Sequence, residues 1–311
     1  MRRGLTLLVA LSVMGLGCGD DDSGGGAAGG TGGAGGSAAT GGSGGTGGAG
    51  ATGGAGGTGG MAEQAVTISF AARVGEETFA CGETYELGSA DTELDLVDFR
   101  FHVSAIELRN ADDEWVVVTL DDTDFQTGNV ALLDFEDGCG EMGTEELNDA
   151  VVGTVPAGEY DAIRFEMGVP FELNHENPAT ADPPLNLSAM QWDWQGGHKF
   201  LRIDSGSFSG GGWRTHLGST GCDGDPVSGG TTSCTAPNRV PVEFEDFDPA
   251  TGIVVADAAA LTAGQDVGTL NPPPPGCMSG PTDTDCTEIF PNLGLAFGDT
   301  PAGEQSFFTA E

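Results

Sequence analysis

The sequence has very few basic residues and few histidines. Only 10 of its 311 residues are Lys or Arg, against 48 Asp or Glu, and only four are His. Beyond the N-terminal segment, 8 basic residues face 45 acidic ones. Nucleic acid and anionic lipid surfaces repel such a chain, so neither is an expected partner. The acidic surface either keeps the chain soluble by repulsion or suits cationic partners and a salty environment.

Several catalytic and cofactor motifs are absent beyond residue 60. There is no Gly-x-Ser-x-Gly nucleophile elbow, no phosphate-binding loop and no dinucleotide-binding fingerprint. The zinc-binding patterns His-Glu-x-x-His and Cys-x-x-Cys do not occur either. The sequence therefore argues against a hydrolase or a nucleotide-dependent enzyme, and we expect a protein that is not an enzyme.

The N-terminal apolar run, residues 5–16, is too short for a membrane span. It follows a positively charged start and ends at small residues just before Cys18, which is the order of a bacterial lipoprotein signal. We predict a signal peptide over residues 1–17 and lipidation of Cys18; the alternative is an ordinary cleaved signal with Cys18 unused. The expected location is the cell envelope, as an outer-membrane lipoprotein that is periplasmic or surface-exposed and reaches the membrane through its lipid only.

Residues 23–60 are almost only Gly, Ala, Ser and Thr. Such a segment has no side chains to bury, so we predict that residues 18–60 form a lipidated, flexible tether with a reach of roughly 35 Å. Residues 61–311 are long enough for one β domain with its own core.

Six cysteines remain in this domain once Cys18 is set aside. An even number in an exported chain predicts disulfides, whereas a thiolate metal site is the alternative. The close spacings favour two local pairs and leave the two earliest cysteines for each other: Cys222 with Cys234, Cys277 with Cys286, and Cys81 with Cys139.

Alternation of apolar and polar residues predicts many short strands. The clearest is residues 66–74, and a change of phase within residues 98–109 predicts a bulge near Ser104. His102 would share a face with Arg100 and Ser104. Two short helices are candidates, at residues 145–152 and 257–264. This pattern predicts a mostly β fold, an antiparallel β-sandwich with long disulfide-stapled loops and little helix.

Segments throughout the domain resemble one known family in collinear order. They are Asp98-Phe99-Arg100-Phe101-His102, residues 126–135, Asn174-His175, Met190-Gln191-Trp192-Asp193-Trp194, His216-Leu217-Gly218-Ser219 and residues 277–295. Together they resemble the MbnP-like copper-binding proteins, the four-Cys proteins of the metallo-mystery pair system. The resemblance implies an exported copper-binding domain acting with a di-haem cytochrome c peroxidase-like partner of the MbnH type.

The resemblance also implies the ligands. His175 and His216 match the family pattern, and His102 stands in the strand where relatives place a histidine or a tyrosine. Trp192 and Trp194 match the segment around a tryptophan that the partner oxidises to kynurenine in relatives, although paired aromatics also occur in protein cores. The alternative function is an acidic adhesion or scaffold module, stabilised by calcium and without a role for copper.

Overall fold

The structure is a computed structural model that describes residues 62–140, 142–193, 195–206, 211–225, 229–269 and 275–311. Cys18, the tether and Trp194 lie outside the described residues. The strands are β1 (Glu63–Val74), β2 (Glu77–Thr78), β3 (Thr84–Leu87), β4 (Thr92–Asn110), β5 (Trp115–Val117), β6 (Thr119–Leu120), β7 (Gln126–Thr127), β8 (Val130–Asp134), β9 (Ala150–Pro156), β10 (Tyr160–Met167), β11 (Leu201–Ser205), β12 (Arg214–Leu217), β13 (Thr220–Asp225), β14 (Gly229–Ala236), β15 (Val240–Phe244), β16 (Ile253–Asp257), β17 (Gly276–Cys277) and β18 (Phe308–Ala310).

Helices are few and short. They are α1 (Phe171–Asn174), α2 (Ala258–Thr262) and α3 (Ile289–Asn292), with 3₁₀ turns at Ser188–Met190 and Thr284–Cys286. The prediction at residues 257–264 is confirmed by α2. The Asp257 side chain caps this helix by accepting a hydrogen bond from the Ala259 N–H. The prediction at 145–152 is wrong, since Ala150 begins strand β9 there. No helix within the described residues combines the length and apolar composition needed to cross a bilayer.

The first sheet is built around β1, in the order β18-β16-β1-β9-β6, with β2 paired to β1. The predicted alternation is confirmed: Val66, Ile68, Phe70, Ala72 and Val74 are all buried. β1 pairs antiparallel with β9 but parallel with β16. The predicted β-sandwich is confirmed, although its strand pairing is not antiparallel throughout.

The second sheet is built around the 19-residue strand β4, in the order β15-β10-β4-β11-β12-β17. Strands β3, β5 and β8 also pair with β4, and β7 pairs with β8. β12 and β17 form a second parallel pair. Because β4 is long enough to pair with different strands along several separate stretches, its backbone organises most of this sheet.

The core lies between the two sheets and is rich in phenylalanine. Phe99 and Phe101 of β4 are fully buried and contact Phe70 of β1 and the C-terminal pair Phe307 and Phe308. The Phe101 and Phe308 rings meet edge to face with centroids 5.4 Å apart. Between Phe99 and Val103, the odd-numbered side chains of β4 are therefore the apolar, core-facing ones.

A β-bulge interrupts β4 where the phase change predicts it. The register with β10 shifts between the pairs Ser104–Glu166 and Glu107–Arg164, and exposed Ala105 has a φ of 51°. A left-handed conformation at a non-glycine residue is typical of such an irregularity. The bulge changes the direction of β4 just after His102.

Replacing Ala105 with glycine should stabilise the protein. The left-handed conformation costs an L-residue about 1–2 kcal/mol, more than the roughly 0.5–1 kcal/mol that glycine loses through its freer unfolded chain. We expect the free energy of unfolding, measured in urea, to rise by about 0.5–1 kcal/mol. In Ala150→Gly, where φ is ordinary, it should fall by a similar amount, and equal losses in both variants would contradict the argument.

The structure forms all three predicted disulfides, Cys81–Cys139, Cys222–Cys234 and Cys277–Cys286. The segment around Cys222–Cys234, one of the expected disulfide-stapled loops, instead contains β13 and β14, which among the described strands pair only with each other. The alternation signal is weak there because both strands are rich in Gly, Thr and Ser and are largely exposed.

All eight basic residues of the domain are buried or ion-paired. Arg100, Lys199, Arg202 and Arg214 are buried. The other four form surface ion pairs, which are Arg73–Glu311, Arg109–Asp161, Arg164–Glu107 and Arg239–Glu166. The surface charge left unpaired is therefore overwhelmingly negative.

Candidate metal centre

Between Asp98 and Ser104, the even-numbered side chains of β4 are polar, yet they are buried as completely as those that face the core. Asp98, Arg100, His102 and Ser104 are each at most 1% exposed. The loop between α1 and β11 contacts this face: the His102 Nδ1 atom lies 2.9 Å from the Lys199 carbonyl oxygen. A buried polar layer costs free energy unless its groups are paired, so each partner on this face matters.

Arg100 lies among three carboxylates at one end of the layer. Its guanidinium forms two hydrogen bonds with Asp98, and its Nη1 atom is 3.5 Å from Glu136 and 3.9 Å from Asp134. Asp98 also pairs with Arg202, whose Nε lies 3.1 Å from a carboxylate oxygen. The charges thus form one connected network rather than separate pairs.

Burial shifts the protonation of this network. It raises the pKa of Asp98 to about 6, although hydrogen bonds from Arg100 oppose the shift. It also raises the pKa of Asp134 to about 7, opposed by the charge of Arg100. Burial lowers the pKa of Lys199 to about 8, and its ammonium donates hydrogen bonds to two carbonyls. The network therefore contains groups that titrate near neutral pH.

His216 lies on β12 at the other end of the layer. Its Nε2 atom is 2.7 Å from Asp204 Oδ1, and Asp204 is in turn paired with Arg202 at 2.8 Å. A carboxylate only accepts, so Nε2 carries the proton and Nδ1 has the lone pair. Nδ1 is buried and has no hydrogen-bond partner within the described part of the chain. Burial lowers the pKa of His216, although the charge of Asp204 and its hydrogen bond oppose this shift. The lowered pKa favours the neutral imidazole.

His102 on β4 shows the same arrangement with the two nitrogens exchanged. The carbonyl of Lys199 accepts from Nδ1, so the lone pair is on Nε2. Nε2 and the neighbouring Ser104 Oγ are both buried without a hydrogen-bond partner among the residues described. Burial lowers the pKa of His102 to about 3, so this imidazole is neutral at physiological pH.

His198, which we did not predict as a ligand, is enclosed by backbone carbonyls. Its ring nitrogens lie 3.0 Å from the Asn174 oxygen and 2.9 Å from the Leu185 oxygen. Its ring is 5.8 Å from that of His102, centroid to centroid. His198 therefore supports the loop over the polar face and has no nitrogen to offer a metal.

His175 follows α1 and lies beside the β13–β14 hairpin. Its Nε2 atom is 3.2 Å from the Asn174 side-chain nitrogen and 3.5 Å from Cys234 Sγ. With Cys222 and Cys234 it forms a group whose possible ligand atoms all lie within 4.8 Å of one another. Both sulfurs belong to the disulfide, so they are not thiolate ligands in this state.

The structure does not gather the three predicted ligand histidines at contact distance. Within the described ranges, groups of three or more possible ligands closer than 4.8 Å are limited to His175 with Cys222 and Cys234, and Glu136 with Cys81 and Cys139. His102 and His216 share the polar face of the second sheet, whereas His175 lies against the hairpin disulfide.

Trp192, one of the two predicted oxidation sites, is half-buried and packs over glycines. A Cβ on Gly218 would come within 2.6 Å of its ring, and a Cβ on Gly196 within 3.3 Å. These glycines therefore let the indole lie close to the backbone at the end of β12. Trp194 lies outside the described residues.

Sequence reasoning did not identify Asp204, Arg202 or Lys199 as parts of this layer. The alternation of Arg202 and Asp204 within a predicted strand is typical of a solvent-exposed face. Only the folded chain shows that a loop covers it. One signal could have identified the layer. The domain has only eight basic residues, and three of them lie between residues 199 and 214, with Arg100 as the fourth member of the layer.

Two open sheets, three disulfides and a buried polar layer with two neutral imidazoles define a disulfide-stapled β-sandwich. The family model of MbnP matches residues 63–279. The chain belongs to the MbnP family.

A solved structure supports this assignment. MbnP from Methylosinus trichosporium superposes with a TM-score of 0.69 at 30% sequence identity, covering 80% of this chain and 98% of that chain. No curated protein matches the sequence.

Proposed function

We propose that this chain is a copper-binding protein without catalytic activity, and that His102 and His216 are ligands of the metal. One observation carries the proposal. Each of these buried imidazoles donates one N–H to a fixed oxygen and turns its other nitrogen, with the lone pair, to a place where it has no hydrogen-bond partner among the described residues.

The chemistry of these donors fits copper. Metal-binding histidines ordinarily donate their second nitrogen to a carbonyl or carboxylate, which fixes the tautomer, and Lys199 and Asp204 supply those acceptors here. Neutral imidazole suits copper far better than calcium, which prefers oxygen ligands. The copper family that the sequence resembles favours copper over zinc. Bound copper would supply a soft, redox-active ion at this face.

The ligand role of His175 stays a prediction. It is half-buried, but the structure places its Nε2 against a disulfide sulfur rather than in the polar layer with His102 and His216. A separate variant therefore tests it.

Copper retained after dialysis tests the proposal. The unmodified protein should keep about one equivalent, and His102→Ala/His216→Ala should keep none, because two lone-pair donors are lost. His175→Ala reports separately on the third predicted ligand. Equal retention by the unmodified protein and the double variant would overturn the proposal. A calcium-dependent rise in melting temperature without any copper response would instead favour the adhesion module.

We further propose that the protein is exported, attached by a lipid on Cys18 at the outer membrane, and acts with a di-haem cytochrome c peroxidase-like partner. The order of the N-terminal signal and the family resemblance support this. Mass spectrometry of the native protein should find a diacylated Cys18. Conversion of Trp192 or Trp194 to kynurenine would show contact with the partner, and its absence would leave copper binding as a function separate from tryptophan oxidation.

A further inference from the structure

The disulfide of the β13–β14 hairpin lies beside an imidazole from another segment of the chain. Cys222 and Cys234 face each other directly in the antiparallel register, and both are half-buried. His175 reaches them from the end of α1, with Nε2 3.5 Å from Cys234 Sγ. Two sulfurs and a nitrogen from three separate segments therefore already lie within 4.8 Å of one another.

The hydrogen bonds of Asn174 orient the imidazole. The Asn174 Oδ1 atom accepts from the His198 N–H at 2.8 Å, which turns its amide nitrogen towards His175 Nε2 at 3.2 Å. An amide nitrogen only donates, so Nε2 accepts and carries the lone pair. The nitrogen nearest to the sulfur is thus the one that can act as a ligand.

The hairpin is separate from the two main sheets. β13 and β14 pair only with each other among the described strands. Gln195 ties the hairpin to the rest of the domain, donating to the Cys222 carbonyl at 2.7 Å and to that of Gly224 at 3.0 Å. Opening Cys222–Cys234 therefore breaks no strand pairing of the core. By contrast, both cysteines of Cys277–Cys286 are fully buried.

We propose that reduction of the Cys222–Cys234 disulfide creates a second metal site, in which two thiolates and His175 Nε2 bind a soft ion of the Cu(I) or Zn²⁺ type. This inference uses residues outside the polar layer and a different redox state, so it is independent of the function proposed above. The oxidised protein has no such site, because disulfide sulfurs are not thiolate ligands.

The reaction balances with an external dithiol as reductant. One thiolate of the dithiol attacks a disulfide sulfur, the resulting mixed disulfide is resolved by the second thiol, and the reductant leaves as a cyclic disulfide. Two electrons and two protons are transferred, so Cys222 and Cys234 become thiols. Metal binding then releases these two protons.

Cadmium titration of the whole protein tests the site. After mild treatment with a dithiol and its removal under anaerobic conditions, mass mapping of alkylated cysteines should show Cys222 and Cys234 open. Cys81→Ser/Cys139→Ser, treated in the same way, should then bind one equivalent of Cd²⁺, with thiolate-to-metal charge-transfer absorption in the ultraviolet. The untreated protein should lack this absorption.

Matched variants assign the ligands. Cys139 is exposed, so the variants are made in a Cys81→Ser/Cys139→Ser background, which removes the sulfurs that lie beside Glu136. In this background Cys222→Ser/Cys234→Ser should lose the absorption and leave only Cd²⁺ held by surface carboxylates. His175→Ala keeps both thiols but loses the nitrogen ligand. Its Cd²⁺ affinity should fall by at least roughly 10–100-fold, which is the usual effect of losing an outer-shell partner. Cys81→Ser/Cys139→Ser should keep the site, and so should His216→Ala, which separates this result from the copper proposal.

Two outcomes would overturn the proposal. One is a Cys222–Cys234 disulfide that stays closed in the folded protein under the dithiol. The other is equal Cd²⁺ binding by reduced Cys81→Ser/Cys139→Ser and by the same variant with Cys222→Ser/Cys234→Ser added, with far-ultraviolet circular dichroism confirming that both are folded.

Discussion

Arg100→Met is expected to lower the free energy of unfolding by about 3–5 kcal/mol at pH 8, the range for breaking one side of a buried ion pair. Arg100 is fully buried and is the cation shared by Asp98, Asp134 and Glu136. Methionine matches much of its length but has no charge. Three carboxylates would then stay buried beside an apolar side chain.

The loss should be smaller at pH 5. The folded pKa of Asp134, about 7, lies above the unfolded value of about 3.9. Its contribution to stability is therefore complete below pH 4 and is lost as the pH rises through 7. Asp98, with a folded pKa of about 6, follows the same sign. Without Arg100 the ionised carboxylates destabilise the folded state more. The loss of free energy of unfolding in Arg100→Met should therefore grow between pH 5 and pH 8.

Urea denaturation at both pH values measures this effect. Arg109→Met is the matched control, since Arg109 has the same charge but pairs with Asp161 at the surface. Exposed ion pairs contribute little, so this control should stay close to the unmodified protein at both pH values. A deficit for Arg100→Met that is small, or that does not change with pH, would show that the buried carboxylates do not depend on Arg100.

Asp204→Asn is expected to weaken copper binding by roughly 10–100-fold, the usual effect of losing an outer-shell partner. Asp204 accepts from His216 Nε2 with one oxygen and from Arg202 with the other. Asparagine has only one accepting oxygen. Its amide must turn an N–H group towards either the histidine or the guanidinium, both of which donate here. The tautomer that leaves the lone pair on His216 Nδ1 is then no longer enforced.

Two measurements distinguish the effect of Asp204 on the His216 tautomer from its effect on copper affinity. Nitrogen NMR of the metal-free protein should show His216 protonated at Nε2, and a mixture of tautomers in Asp204→Asn. Competition with a coloured Cu(I) chelator gives the change in affinity, with Asp161→Asn as the surface control. A shifted tautomer with unchanged affinity would exclude His216 as a ligand. No change in either measurement would show that Asp204 does not position it.

The sequence determined much of the framework by itself. Alternation in residues 66–74 predicts β1 because a half-buried strand exposes every second side chain to the core. The phase change near Ser104 predicts the bulge, since a strand cannot otherwise move its apolar residues to the other face. The cysteine spacings favour the observed disulfides because cysteines close in the chain meet easily. The family resemblance rests on collinear segments that also needed no structure.

Tertiary structure alone decided the character of the site. In the sequence, Asp98, Arg100 and His102 alternate with apolar residues, as on the solvent-exposed face of a strand. Two distant segments cover them: the loop after β8 contacts Arg100 through Glu136 and Met142, and Lys199 contacts His102. Local periodicity contains no information about such segments. The same holds for the histidines: the resemblance names His102, His175 and His216 together, whereas the fold puts two of them in the polar layer and the third against Cys222–Cys234. Pairing partners and ring tautomers depend on contacts made across the whole domain, so the folded chain was needed to assign them.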